Sequence, residues 1–326
     1  MKAIFVGAGC SYGTLGGHPA CPPLARYFGR FLAKDTLFRY PELTKVACHL
    51  GKQLCEIGME ELWSCIDYHA KFGPGRGGCL NSSWDNGHAV VELKAHALLQ
   101  AFGRACDQAA SDIRSGDFTL KSVLSTLQEG DAIVSFNWDT LTERLAKECC
   151  SVKLKHSSCA THPGFVRFAK PHGSASWRLC DGITDGEPNL TSLEVGIEGS
   201  DPLVLGAVPI KSELIKEVQL QQGAPAIFTV VMSQWAAAVD AVRNADEFVV
   251  LGYSFPKEDH HGRFLLQEGA RQRKKHIKRI EYYDPNEIVI EDIRGTFLVD
   301  DANTEICWKG KVTSAFSNRN CDRGAV

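Results

Sequence analysis

This sequence has no C-x-x-C pair, no apolar run long enough to cross a bilayer and no marked excess of charge of either sign. Each absence excludes something. Without paired spacing, the 13 cysteines give neither the usual ligand pattern of structural zinc nor a small disulfide framework. Their scattered, odd number predicts free thiols in a reducing cytoplasm. A spanning helix needs roughly 18 consecutive apolar residues, and no stretch approaches that. With 36 basic and 39 acidic residues, a formal net charge of −3, the overall balance asks for neither nucleic acid nor an anionic membrane. Internal repeats and low-complexity tracts are missing too.

What is present is an ordinary globular composition. The chain has 326 residues, 44% of them hydrophobic and 23% charged, enough for a sizeable core. The N-terminal "MKAIFVGAGCSYG" looks a little like a signal peptide, but its glycines come too early, and a strand entering a turn is the better reading. "KAIFV" (2–6), "DAIVSF" (131–136), "GFVRFAK" (164–170), "PLVLGAVPIKSE" (202–213), "EFVVLGYSF" (247–255) and "IKRIEYYDP" (277–285) read as strands. Helical spacing of apolar residues recurs over 22–35, 40–58, 59–73, 88–110, 118–128, 228–245 and 258–275. Strands alternating with such helices predict an α/β, doubly wound, mainly parallel Rossmann-like sheet. The helices over 24–128 form an insertion after the first strand. A single domain spans 1–313, and 314–326 is expected to be a poorly ordered tail.

In a doubly wound sheet, ligands sit beyond the carboxyl ends of the strands. Those ends here are "GAGCSYG", "SFNWD", "PHGSASW", "GAVPIK", "GYSFP" and "DPN", all rich in Gly, Ser, Asn, His or Asp. The first has G-x-G directly after a strand, so Gly7, Ala8, Gly9 and Ser11 could approach a pyrophosphate. It is not the dinucleotide fingerprint of dehydrogenases: Gly13 comes one residue late, and Asp35 closes a helix instead of ending a second strand. A tight turn without ligand is the plain alternative.

The remaining candidates carry bland rivals as well. Asn137 can orient a water or a hydroxyl, because its amide both donates and accepts, or it can cap a helix. His172 can take a proton near neutral pH, or be a turn residue. Asp139 can hold a hydroxyl or a cationic centre. However, Thr140 and Glu143 already spell a T-x-x-E capping box, and Asp139 stands at the positive end of that helix. Gly252 and Ser254 suit a phosphate-contacting turn; Asp284 suits ribose hydroxyls or an Asx turn before Pro285. Trp138 reads as core, and His260 and His261 read as surface residues. Cys149, Cys150, His156, Cys159 and His162 have ligand-like spacing but read better as an ordinary loop. The basic run 271–279 reads as a solvated helix end, not a nucleic-acid contact.

Four motifs in order resemble one family. "FNWDTL" (136–141), "HGSASW" (172–177), "VPIK" (208–211) and "LGYSFP" (251–256), following "GAGCS", resemble the sirtuin fold and, more closely, the zinc-free sirtuin-like NAD hydrolases of bacterial antiphage systems. Deacylating sirtuins carry paired zinc cysteines after "HG"; this chain has only Cys180 and then none until Cys307. It also lacks the Phe-Arg-Gly loop after the first glycines. The resemblance implies an antiviral NAD+ glycohydrolase with NAD as substrate and no zinc. It implies Asn137, His172 and Asp139 as catalytic residues, and Gly7, Ala8, Gly9, Ser11, Gly252, Ser254 and Asp284 as NAD contacts. Control by a homo-oligomer or an activating protein partner is expected, with the 24–128 insertion as its surface. Two other readings stay open: a non-catalytic NAD or ADP-ribose binding module, and an NAD-dependent ADP-ribosyltransferase or deacylase.

Overall fold

The strongest apolar runs become strands buried on both faces. The computed structural model describes residues 1–18, 21–34, 39–72, 89, 92–93, 109, 111–113, 117–156, 164–178, 202–204, 224–257, 259–299 and 303–316. Its main sheet has seven strands: β1 (Lys2–Val6), β2 (Ala132–Ser135), β3 (Lys153–His156), β4 (Phe165–Ala169), β7 (Glu247–Leu251), β8 (Arg279–Tyr283) and β9 (Glu305–Trp308). They lie in the order β3-β4-β2-β1-β7-β8-β9, and every pairing is parallel. A separate antiparallel pair joins β5 (Gly173–Arg178) to β6 (Pro202–Val204). The α/β doubly wound architecture is therefore as the sequence predicts.

Side-chain alternation assigns the two faces. Ile4, Val6, Ile133, Val166, Phe168, Val249 and Leu251 point to one core, closed by α5 (Thr119–Leu124) and α6 (Leu141–Cys149). Ala3, Phe5, Val134, Phe248, Val250, Ile280 and Tyr282 point to the other. That face is covered by α7 (Ala224–Asn244), α8 (His260–Arg271) and α9 (Val289–Phe297). Strands buried on both faces read as continuous apolar runs, which is why β1, β2 and β7 are legible in the sequence.

The insertion forms its own cluster. It contains α2 (Phe28–Lys34), α3 (Pro41–His49) and α4 (Met59–Phe72), and it buries Phe28, Leu43, Leu62 and Trp63 together with Trp138. The helix expected over 40–58 is broken. It stops at His49, turns at Gly51 (φ +66) and resumes as a 3-10 turn over Leu54–Glu56. Glycine supplies the left-handed residue that ends it. The stretch 88–110, expected as one helix, lies outside the described residues except at 89, 92–93 and 109.

Strands β3, β5 and β9 are additional to the sequence reading. β3 and β9 are four-residue edge strands: β3 (KLKH) is mostly charged, and β9 (EICW) has only a three-residue apolar stretch. Residues 314–316, expected as the start of a poorly ordered tail, are held in place. Ala315 N donates to the Thr14 carbonyl at 2.9 Å, Ser314 Oγ donates to that of Gly16 at 2.6 Å, and Phe316 is buried in the core. These contacts pin the chain through 316; residues 317–326 lie outside the described part.

Candidate functional site

Because the sheet is parallel, the turns after β1, β2, β4, β7 and β8 all emerge at one edge. From β1 the chain passes to β2 on one side and later to β7 on the other, so β1 and β7 flank the point where the winding reverses. The backbone turns there are pressed together. A Cβ on Gly7 would lie 2.5 Å from the Tyr253 Cα, and one on Gly252 (φ +57) would lie 2.2 Å from the Cys10 amide nitrogen. Gly7 N donates to the Leu251 carbonyl at 3.0 Å and Gly9 N to that of Gly252 at 2.9 Å. These two amides are therefore engaged by the β7 turn. The glycines serve close packing of backbone on backbone.

Asn137 sits just past β2 and is 5% exposed. Its Nδ2 donates to the Gly7 carbonyl and to Ser11 Oγ, both at 3.0 Å. The amide is thus fixed across the β1 and β2 turns and does not cap a helix. Its Oδ1 is buried, and among the described residues no donor reaches it. A buried acceptor without a donor costs about 1–3 kcal/mol, so such a group is uncommon unless a ligand or water completes it.

Asp139 lies deeper. Its Oδ1 accepts from Leu141 N at 3.0 Å, so it is Asp139 that caps α6. The expected Thr140–Glu143 capping box does not form: Thr140 makes no side-chain cap bond. Glu143 is used elsewhere, because Lys170 at the end of β4 is completely buried and must be neutralised. Lys170 Nζ lies 2.6 Å from Glu143 Oε1 and 3.1 Å from Ser174 Oγ, and it donates to the Asp139 carbonyl. Burial pushes the Asp139 carboxyl above its ordinary range, against the pull of Lys170, Ser11, the Leu141 amide and Asn137. Burial likewise raises Glu143, with Lys170 opposing. This cluster clamps the 136–140 turn onto β4. Asp139 thus has a structural duty as the α6 cap.

His172 reaches the same edge from β4. Its ring meets Phe136 edge-on at 5.2 Å, and Phe136 stacks on Tyr253 at 4.3 Å. Its carbonyl accepts from Trp138 Nε1 at 3.1 Å, so the turn carrying Asn137 is tied to the turn carrying His172. Trp138 also packs on Trp63 of α4, with ring centroids 6.4 Å apart, and is core as expected. On the far side of the imidazole, Nε2 lies 3.2 Å from Asp259 Oδ1, an ion-pair distance.

The site thus brings together Gly7, Gly9, Ser11, Asn137, Asp139, His172 and Gly252. Ala8 and Ser254 are exposed at its rim. Between Ser254 and Pro256, Phe255 takes a left-handed backbone (φ +50), held by its buried ring against Tyr253 and Phe297. Asp284 closes β8 in an Asx turn, accepting from Asn286 N at 2.8 Å, and burial raises its carboxyl. That is the structural alternative for this residue. "VPIK" (208–211), Cys159 and His162 lie outside the described residues. Among those described, no group of three or more His, Cys, Asp or Glu could hold a metal, and no helix is long and apolar enough to cross a membrane. Sequence reasoning missed Lys170, Tyr253 and Asp259 and misassigned Glu143. The available signal for Lys170 was a cation at the end of an apolar strand, directly before "PHG".

No protein-family model matches this chain, and no curated protein matches it significantly.

Proposed function

We propose that this chain is an NAD+ hydrolase of the sirtuin-like kind, releasing nicotinamide and ADP-ribose. One observation carries the reading: the orphaned, buried Oδ1 of Asn137, held rigidly beside the sheet's switch point. The acceptor is completed by a hydroxyl donor, either a nicotinamide-ribose hydroxyl or the attacking water. The ordered motifs "FNWDTL", "HGSASW" and "LGYSFP" support the same reading.

The chemistry needs little from the protein. Nicotinamide leaves neutral, so the barrier lies in forming a cationic, oxocarbenium-like ribose and in placing water on its other face. Asn137 orients the hydroxyl. His172 accepts the water proton as the new bond forms. Asp139, Lys170 and Glu143 hold the turn that carries Asn137 and do not touch the reacting atoms.

The test is incubation with NAD+ and chromatography of the products for the wild type, Asn137→Ala and His172→Ala. Turnover that falls at least about 100-fold in both variants is expected. A wild-type rate no better than either variant overturns the reading. Thermal stabilisation by NAD+ without turnover would point instead to a binding module; nicotinamide release only with an acceptor protein would point to a transferase. Control by self-association or a protein partner belongs to the same proposal. The Trp63–Trp138 contact supports it, since it joins the insertion to the Asn137 turn. A rate per molecule unchanged over about 100-fold dilution without any partner would overturn that control.

A further inference from the structure

A second carboxylate stands at this edge that neither the motif order nor the capping pattern assigned. Asp259 precedes α8 and is 1% exposed. Its Oδ1 accepts from Gly262 N at 3.0 Å, and its Oδ2 accepts from the Tyr253 hydroxyl at 2.8 Å. A Cβ on Gly262 would lie 2.3 Å from Oδ2, so the helix turn closes tightly round the carboxylate. Tyr253 is in turn stacked on Phe136. Burial, and then Asp259, push the Tyr253 phenol well above its ordinary value, so it stays a neutral donor and leaves the charge on Asp259. The His172 ring stands beside this carboxylate, with Nε2 at 3.2 Å from Oδ1, where a positive charge on the ring would meet a buried negative one.

We propose that Asp259 is the positioning residue for His172, acting on the ring through its charge at 3.2 Å and stabilising the imidazolium that forms when His172 takes a proton in the hydrolysis proposed above. The step balances simply. The water oxygen bonds to the ribose C1′, and the C1′–N bond breaks with its electron pair leaving on the nicotinamide nitrogen. The water proton passes to His172 and then to solvent. The other ionisable groups near this edge do not do Asp259's work. Asp139 and Glu143 are engaged by Lys170 on the β2–β4 side, and Tyr253 is neutral. Among the described residues, Asp259 is the carboxylate at ion-pair distance from the ring. An aspartate that orients a histidine and stabilises its charged form is a recurrent device of hydrolases on unrelated folds.

The deciding variant is Asp259→Asn, which keeps an acceptor oxygen for Gly262 N and turns an NH2 to the Tyr253 hydroxyl, which can accept, while it removes the charge. The first readout needs no turnover. In the full chain with isotope-labelled histidine, the His172 signal is assigned by its loss in His172→Asn and followed against pH. Removing an opposite charge disfavours the imidazolium, so His172 should titrate at lower pH in Asp259→Asn than in the wild type. The second readout is kinetic. With NAD+, kcat should fall about 10-fold or more at near-constant KM, and the acidic limb of the rate profile should move to lower pH. An unchanged titration of His172 overturns the proposal even if the enzyme turns over NAD+. A shifted titration with no wild-type turnover overturns the hydrolase reading alone. A merely structural Asp259 would lower the melting temperature and leave both the titration and the limb in place. Asp259→Ser, which also retains a capping oxygen, repeats the test if the Asn variant folds poorly.

Discussion

Replacing Lys170 with Met should unlatch the Asn137 turn, and the size of the effect follows from what the lysine touches. Its ammonium is completely buried, with Glu143 Oε1 at 2.6 Å, Ser174 Oγ at 3.1 Å and the Asp139 carbonyl as third partner. Methionine fills similar volume but leaves Glu143 buried without its cation. Breaking a buried pair on one side costs about 3–5 kcal/mol. With a urea slope of about 3 kcal/mol per M for a chain of this size, the unfolding midpoint should drop on the order of 1 M. The pH dependence has a definite sign. Glu143 is already raised by burial, and Lys170 is the main influence holding it down. Without Lys170 it rises further, so the folded variant is favoured at pH below the unfolded carboxylate value and loses that advantage as pH rises through the folded one. The deficit against wild type should therefore be larger at pH 8 than at pH 5. Lys170→Met/Glu143→Met should recover most of the loss, because an apolar pair replaces an ion pair at little net cost. A single variant within about 1 kcal/mol of wild type, or a double variant as unstable as the single, would refute this account of the turn.

Two further expectations concern stability alone. Gly252→Ala forces a Cβ into a left-handed turn and to 2.2 Å from the Cys10 nitrogen, whereas Gly310→Ala meets only the left-handed penalty, with nothing within 4 Å. The first should cost about 2 kcal/mol or more and the second about 1 kcal/mol in thermal unfolding; equal losses would mean that the β1 and β7 turns do not press on each other. For Asp246, burial alone would raise the carboxyl, but Lys278 Nζ at 3.0 Å and the Met1 ammonium at 3.1 Å outweigh it and lower it to about 2. A depressed carboxylate contributes stability that is present above its unfolded value and lost as pH falls toward about 2. Asp246→Asn should therefore be less stable than wild type at pH 6, with a gap that narrows as pH falls toward about 2, by denaturant titration at each pH; a gap of the same size at pH 6 and pH 2.5 would count against the pairing.

Legibility differed by element for physical reasons. β1, β2 and β7 are buried on both faces and announce themselves as apolar runs, and the helices covering them show their apolar stripes. β3 and β9 lie at the ends of the strand order, β9 is nowhere fully buried, and "KLKH" and "EICW" carry no comparable signal. At the site, Asn137 and His172 were found because residue type and place after a strand coincide. Glu143 was misread because a T-x-x-E spacing is local, while its partner Lys170 comes from another strand, 27 residues on. A buried cation outbids a helix end for the same carboxylate, since leaving it unpaired is far costlier than leaving a cap unmade.

By itself the sequence determined the fold class and the edge of the sheet where the polar turns gather, because burial on two faces and the polarity of strand ends are written in local composition. Only the tertiary structure decided what each polar residue does there. The turn glycines are consumed by backbone packing, Asp139 becomes the cap, Lys170 and Glu143 become the clamp, and Asp259 reaches His172 from across the site. Those assignments depend on which charges are buried next to which, and that proximity exists only once the strands stand side by side.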